Sequence, residues 1–150
     1  MRAFFREFVN PVGNIFSSMT MTDPIADMFV RIKNAERARR AVVLIPYSRM
    51  KHEIAKVLEA KGRVTGVAKR GKKNKKTLEL KLTNEPSGEG RLVELRRISK
   101  PSRRVYIGYK DLHSSPFGGG FYIISTPAGV VDDAKARKLK TGGEVLGEVY

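Results

Sequence analysis

The sequence predicts an α+β protein, with an N-terminal half of two helices on a small β-sheet and a C-terminal half of mostly antiparallel β-structure with one short helix. Three observations carry this expectation. Two stretches before residue 62 repeat apolar residues at helical spacing and begin with capping residues. From residue 64 onward, short alternating or apolar runs are separated by Gly, Pro, Asn and Ser. Between the two regimes lies NEPSGEG, residues 84–90, whose composition marks a boundary. The expected domains are an N-terminal α/β domain over 19–84 and a β-rich domain over 85–150, preceded by a poorly ordered extension over 1–18.

In the extension, MRAFFREFVNPVGNIFSS, Phe4, Phe5, Phe8 and Val9 form one apolar stripe ended by Asn10-Pro11. It lacks the continuous apolar core of a secretory signal. Arg2, Arg6 and the serines faintly suggest an organellar leader, but Glu7 and the short length argue against one. A lineage-specific extension, or a start codon assigned too early with Met19 or Met21 as the later start, fits as well.

TDPIADMFVRIKNAERARR, residues 22–40, predicts the first helix. Asp23 is placed to cap it, Pro24 suits the first helical position, and Asp27 sits where the helix dipole favours negative charge. Ile25, Met28, Phe29, Ile32 and Ala35 share one face, while Arg31, Lys33, Asn34, Arg37, Arg39 and Arg40 populate the others. AVVLIP predicts a short buried strand. SRMKHEIAKVLEAKG predicts a second helix, with Ser48 as cap, a stripe of Met50, Ile54, Val57 and Leu58, and Gly62 as its stop.

A hairpin follows, since Val64 and Val67 lead into KRGKKNKK and TLELKL places Leu78, Leu80 and Leu82 on one face. Between residues 69 and 76, Gly71 and Asn74 predict a tip rather than a strand; its lysines are either a solvated loop or a phosphate contact. RLVELRRISKP and RRVYIGYK predict strands around a Lys100-Pro101-Ser102 turn. Gly118-Gly119-Gly120 leads into FYIIST, then a short helix from about Asp132, the Gly142-Gly143 pair, and a final strand EVLGEVY. There is no internal repeat.

Charge narrows the function. Thirty Lys and Arg against 15 Asp and Glu give a net charge of +15, and the sequence pI is about 10.3. An excess of this size repels itself without an anionic partner. Nucleic acid is the first candidate, because each neutralised phosphate releases a bound counterion. A membrane is the weaker one, since no stretch approaches the roughly 18 uninterrupted apolar residues of a span. The chain has no cysteine, which excludes disulfides and thiolate zinc sites and fits a reducing cytoplasm. His52 and His113 are its only histidines and are remote in sequence, so no metal or other cofactor is expected.

FYIISTPAGVVDD, residues 121–133, is the stretch where catalysis and binding compete. Ser125, His113 and Asp132 provide the residue types of a triad, so a Ser125-dependent hydrolase or a phosphate-binding enzyme is one reading. No nucleophile elbow is present, however, and the glycine run precedes a strand instead of following one and opening a helix. RNA binding has more independent support. Arg91, Arg96, Arg97, Lys100, Arg103, Arg104 and Lys110 cluster before the glycine run, with Tyr106 and Tyr109 interleaved. Aromatic faces stack on unpaired bases, and short hydroxyls suit the shallow minor groove of RNA. Ser125 and Thr126, with Gly129 for close backbone approach, fit that role; plain turn chemistry fits them equally.

TDPIADM and RIKNA in the first helix, RRISKPSRRVY (96–106), GGGFYIISTPAG (118–129), DDAKARKL (132–139) and TGGEVLGEVY (141–150) occur in an order that resembles the bacterial small-subunit ribosomal protein eight family. The resemblance runs from about residue 20 to the end and is loose in the Lys-rich hairpin. It implies a two-domain, non-catalytic RNA-binding protein that holds a helical junction in the central domain of small-subunit ribosomal RNA early in assembly, beside neighbouring small-subunit proteins. Some members also bind their own messenger RNA and repress its translation. Carried over by position, the main RNA contact falls on Ser125, Thr126 and Gly129, with Gly142, Gly143 and Glu144 beside it and Tyr106 and Lys100 on neighbouring strands. Thr22, Arg31, Lys33 and Asn34 would meet a second RNA segment.

The sequence departs from that pattern at four places. Pro127 replaces the third loop hydroxyl and removes an N–H donor, which puts one RNA hydrogen bond in question. Ser102 stands at a usual glycine, Val131 at a bulkier position, and Asp132 at a usual threonine, where it is still expected to cap the following helix.

Overall fold

The computed structural model describes residues 23–83, 91–92 and 94–150. The extension, Thr22 and the expected boundary at 84–90 lie outside the described residues. Helix α1, Pro24–Arg37, begins as its sequence dictates: the Asp23 side chain accepts from the Ala26 N–H, Pro24 occupies the first turn, and Met28, Phe29, Ile32 and Ala35 are buried. Strand β1, Val42–Pro46, follows. Helix α2, Arg49–Ala60, is capped by Ser48, which accepts from the Lys51 N–H, and ends at Gly62 with a φ of 72°. Strands β2, Val64–Arg70, and β3, Thr77–Leu82, form the hairpin. Together β1, β2 and β3 make an antiparallel sheet in the order β1-β3-β2.

The second sheet is built on the last strand. Strands β4 (Leu95–Arg97), β5 (Tyr106–Ile107), β6 (Phe121–Thr126), β7 (Gly129–Asp132) and β8 (Gly143–Val149) run in the order β4-β8-β6-β7, with β5 also on β8. A short helix α3, Asp133–Lys138, follows β7. Strands β4 and β5 do flank a turn, closed by reciprocal backbone bonds between Lys100 and Arg103, 3.0 and 2.9 Å. They do not pair with each other, because both lie along one edge of β8: Leu95 opposite Val149 and Tyr106 opposite Glu144.

One apolar cluster joins the two sheets. It runs from Met28, Phe29 and Ile32 through Ile54, Leu58, Leu78 and Leu80 to Leu95, Phe121, Ile123, Leu146 and Val149. Within it, Phe29 of α1 presses on β8 at Gly147. A Cβ added there would sit 2.6 Å from Phe29 Cε2 and 2.8 Å from the Arg96 carbonyl oxygen. A second, smaller cluster of Leu112, Ile124, Val131 and Ala136 fills the space under α3. Polar ties reinforce the joint. Asp23 meets Arg97 at 3.1 Å, Glu36 meets Arg91 at 3.1 Å, Lys33 pairs with Glu94, and Lys61 meets Asp132 at 2.9 Å. In the Asp23–Arg97 pair both side chains are largely shielded, so the loss of either partner would leave the other's charge poorly solvated.

Four local expectations change. Strand β1 is not buried throughout: Val43 and Ile45 face the core, while Val42 and Leu44 are exposed, because helices cover one face of this sheet only. Met50 lies outside the α2 stripe, on the exposed side of its first turn. Lys69 and Arg70 extend β2, paired with Leu78 and Thr77, so the tip is confined to residues 71–76. Asp132 occupies the N-cap position of α3 without making a side-chain cap bond; its carboxylate is drawn to Lys61 instead. Burial works to raise the Asp132 pKa, but the hydrogen bond and charge of Lys61 outweigh it and the net shift is downward.

Gly147→Ala is expected to destabilise the protein by about 1–3 kcal/mol through overpacking. Phe29→Leu opens space at the same point, so the double variant should lose less than the sum of the two, with a coupling of at least ~0.5 kcal/mol. Thermal or denaturant unfolding of the four proteins measures it, and strict additivity would show that the ring and the glycine act independently.

Candidate nucleic-acid interface

Pairing across β8 brings together residues that are remote in sequence. Glu144 is opposite Tyr106 of β5 on one side and opposite Ser125 of β6 on the other, and Ser125 is opposite Val130 of β7. Directly opposed residues of antiparallel strands project to the same face, so Tyr106, Glu144 and Ser125 form one row across the sheet. At one strand spacing each, the row spans about 10 Å from Tyr106 to Ser125. Tyr106 is 70% exposed, far more than a strand tyrosine that serves the core. Ser125 is half-buried, and its hydroxyl makes no hydrogen bond among the described residues.

Glu144 organises the middle of the row. Its Oε1 accepts from the Ser99 hydroxyl at 2.6 Å and from Arg104 Nη1 at 2.9 Å. Ser99, fully buried, in turn accepts from the Val105 N–H at 3.2 Å, which anchors the chain entering β5. Burial works to raise the Glu144 pKa, but the Ser99 and Arg104 hydrogen bonds, with the charges of Arg104 and Arg97, prevail and hold it below the usual carboxylate value. Arg97 also reaches Asp23, so the row is tied to the start of α1. Sequence reasoning missed Ser99; nothing in RRISKPS distinguishes it, and only the fold shows its partner.

The loop after β6 separates two roles that the residue types alone left merged. Thr126 is buried: its hydroxyl donates to the Gly129 carbonyl at 2.8 Å and accepts from the Ala128 N–H at 3.2 Å. It is therefore the fastener of the β6–β7 turn. Pro127 and Ala128 are the two exposed residues of that turn, between the paired Thr126 and Gly129. The proline ring presets φ there, and its missing N–H is not required by the strand ladder. Gly129 has a φ of 115°, and a Cβ there would meet open space, so its requirement is conformational.

The Gly142-Gly143 pair has a steric cause inside the sheet. A Cβ on Gly143 would collide with the Ser125 carbonyl oxygen, and one on Gly142 with the Ile107 carbonyl oxygen. These glycines let β8 pass tightly between β5 and β6, which sets the spacing of the row.

Basic side chains surround it. Lys100, Arg103 and Arg104 are exposed at the β4–β5 turn, and Lys135, Lys138 and Lys140 on and after α3. The candidate residues of α1 lie apart from the row. Arg31 is exposed and shared with Asp27 at 2.8 Å, Asn34 is exposed, and Lys33 is engaged with Glu94. At the hairpin tip, Lys72, Lys73, Lys75 and Lys76 are all exposed, while Lys69 lies over the Tyr47 ring at 4.3 Å.

The triad does not assemble. No hydrogen bond joins Ser125, His113 and Asp132 among the described residues: Ser125 is held by its backbone pairing, His113 is exposed ahead of the glycine run, and Asp132 is committed to Lys61. Among the described residues no cluster of His, Asp or Glu is placed to hold a metal ion, and no helix is long and apolar enough to cross a membrane.

A family model described as Ribosomal protein S8 matches residues 23–150. The small ribosomal subunit protein uS8 of Rubrobacter xylanophilus is 44% identical over 132 residues, covering 88% of this chain and 100% of that protein. Its counterpart in Mycoplasmopsis agalactiae is 42% identical over 132 residues, with 88% and 100% covered. That of Thermus aquaticus is 41% identical over 137 residues, with 87% and 99% covered. With these matches spanning both sheets, the chain belongs to the ribosomal protein S8 family.

Proposed function

We propose that the protein is a structural, non-enzymatic constituent of the small ribosomal subunit, working on ribosomes in the cytoplasm. It binds the central domain of small-subunit ribosomal RNA and supports assembly beside neighbouring small-subunit proteins. The observation that carries this reading is the row Tyr106–Glu144–Ser125, an exposed aromatic and a hydroxyl with no hydrogen-bond partner among the described residues, held at a fixed spacing and ringed by cations. Tyr106 offers a face to an unstacked base, and Ser125 offers a short donor and acceptor to a minor groove. Glu144 fixes Arg104 for phosphate contact. Lys100 and Arg103 add charge from the adjoining turn, and Thr126, Gly129, Gly142 and Gly143 hold the shape.

Arg31, Lys33 and Asn34 would serve a second RNA segment, with Lys33 the weakest member because Glu94 already engages it. The functional division into 19–84 and 85–150, after an extension over 1–18, belongs to this proposal. Repression of the protein's own messenger RNA is a further reading of the same surface; a transcript that presents the same junction geometry would compete with ribosomal RNA for the row.

Crosslinking in intact subunits, with mapping of the attached nucleotides, tests the assignment. Adducts from Tyr106 to a central-domain junction support it, and adducts confined to other regions overturn it. Ser125→Ala is expected to weaken binding to the cognate junction by ~1–2 kcal/mol without changing the melting temperature. Thr126→Val should instead lower stability by a similar ~1–2 kcal/mol, because two turn hydrogen bonds go. If Ser125→Ala leaves cognate binding untouched, the hydroxyl has no RNA role.

Replacing Lys72, Lys73, Lys75 and Lys76 with glutamine should weaken binding to cognate and unrelated RNA alike. It should also flatten the log–log salt slope by as much as ~3–4 if each lysine meets a phosphate. An unchanged slope places the tip away from RNA.

Because the folded pKa of Glu144 is depressed, its stabilising contribution is complete above the ordinary carboxylate range and is lost as pH falls through the lowered value. Glu144→Gln should therefore lower the melting temperature at neutral pH and flatten its decline in acid. Parallel pH series of the two proteins read the difference.

A further inference from the structure

The open edge of the first sheet has no role in the RNA contacts described above. Among the described residues, strand β1 is an edge strand, paired only with β3. Its ladder is bounded by Leu82 N–H to Ala41 O at 2.8 Å and Tyr47 N–H to Lys76 O at 3.1 Å. In that register Val43 and Ile45 exchange hydrogen bonds with β3. Alternation turns the N–H and C=O groups of Val42 and Leu44 outward, and among the described residues neither has a backbone partner there. Further along, the edge is closed: Pro46 lacks an N–H, and its carbonyl accepts from Lys51 Nζ at 3.2 Å.

Beside the open part runs a groove of about 580 Å³ between β1 and α1, with Arg31, Asn34, Ala38 and Arg40 on its walls. Val42 and Leu44 border it and are 40% and 56% exposed. Arg39 and Arg40 stand exposed just before the strand.

We infer that this edge docks an extended acidic segment of a neighbouring protein, which adds to β1 as a further strand. RNA fits poorly, because its donors, the 2′-hydroxyls and base edges, do not alternate with acceptors at the strand repeat that the outward groups of Val42 and Leu44 present. A second copy fits poorly too, since each chain carries a net charge of +15 and would bring its own arginines to the joint. An extended polypeptide supplies donors and acceptors in alternation. Its carboxylates would meet Arg31, Arg39 and Arg40, and its apolar side chains would cover Val42 and Leu44. Arg31 and Asn34 are also the α1 residues proposed for RNA; the strand edge across from them is not. The nature of the partner rests on the proposed place in the ribosomal subunit, whereas the pairing chemistry does not.

Two experiments separate these. The isotopically labelled full chain is titrated with a short alternating Glu-Val peptide and with the same peptide N-methylated at every residue, equal in charge but without backbone donors. Only the first is expected to shift the Val42 and Leu44 amides and slow their hydrogen exchange, by roughly tenfold or more. Leu44→Pro removes an N–H that β3 does not use and should abolish the effect, while Arg40→Glu should weaken it. An equal response to both peptides, a response centred elsewhere, or indifference to both variants overturns the inference.

In the second experiment a photo-crosslinker at position 42 is carried into small subunits. A nuclease-resistant adduct with an acidic protein segment supports the inference. An adduct with RNA, with a second copy, with residues 1–22 of the same chain, or with no protein overturns it. Co-sedimentation of the chain with subunits reads the ribosomal assignment on its own, so that assignment can fail while the peptide result stands.

Discussion

The absence of a side chain at Gly147 is the constraint on which the rest of the molecule hangs. It lets the Phe29 ring rest on the backbone of β8, and so lets α1 of the first half bury its apolar face against the sheet of the second. Once α1 lies there, Asp23 at its start meets Arg97, and Arg97 adds its charge to those holding Glu144 ionised. A steric allowance at one end of β8 thereby reaches the row at the other end. The two halves share one core, so the position of the first half and the geometry of the row are set by the same strand.

The row is rigid by construction. Ser99, Arg104 and Val105 converge around Glu144, and Thr126 locks the adjoining turn through two hydrogen bonds. A surface ordered before binding loses little conformational freedom on contact, which suits recognition of a shaped RNA junction. A carboxylate within a basic surface looks contrary to phosphate binding. Its effect is to fix an arginine that would otherwise wander, and the surrounding lysines and arginines leave the local charge positive. In the proposed RNA contact, shape and hydroxyls would thus be confined to the sheet, while long-range attraction would be spread over Lys-rich turns that need no fixed geometry.

The three-stranded sheet answers a different problem. Among the described residues, one face is covered by helices and the β1 edge is left open, closed at Pro46 by the Lys51 ammonium. Natural edge strands are normally blunted against unwanted pairing. An edge that is closed at one end and bordered by aliphatic and arginine side chains at the other fits the selective docking inferred for it.

Sequence by itself determined the elements whose cause is local. Asp23-Pro24 and Ser48 start their helices through bonds to backbone N–H groups within one turn, and the Leu78-Leu80-Leu82 alternation names the buried face of β3. It also named most residues of the proposed site, because the basic excess and the order of the motifs are linear properties. Tertiary structure alone decided what those members do. Whether β4 and β5 pair with each other or with β8 depends on a strand some forty residues away. That choice aligns Tyr106, Glu144 and Ser125. The same distance hides why Gly142, Gly143 and Gly147 are glycines, since each is demanded by an atom contributed from another segment. Thr126 and Ser125 are adjacent and chemically alike, yet one fastens the turn and the other faces outward. Strand alternation and the partner across the turn, neither of them visible in a single hydroxyl, make that division.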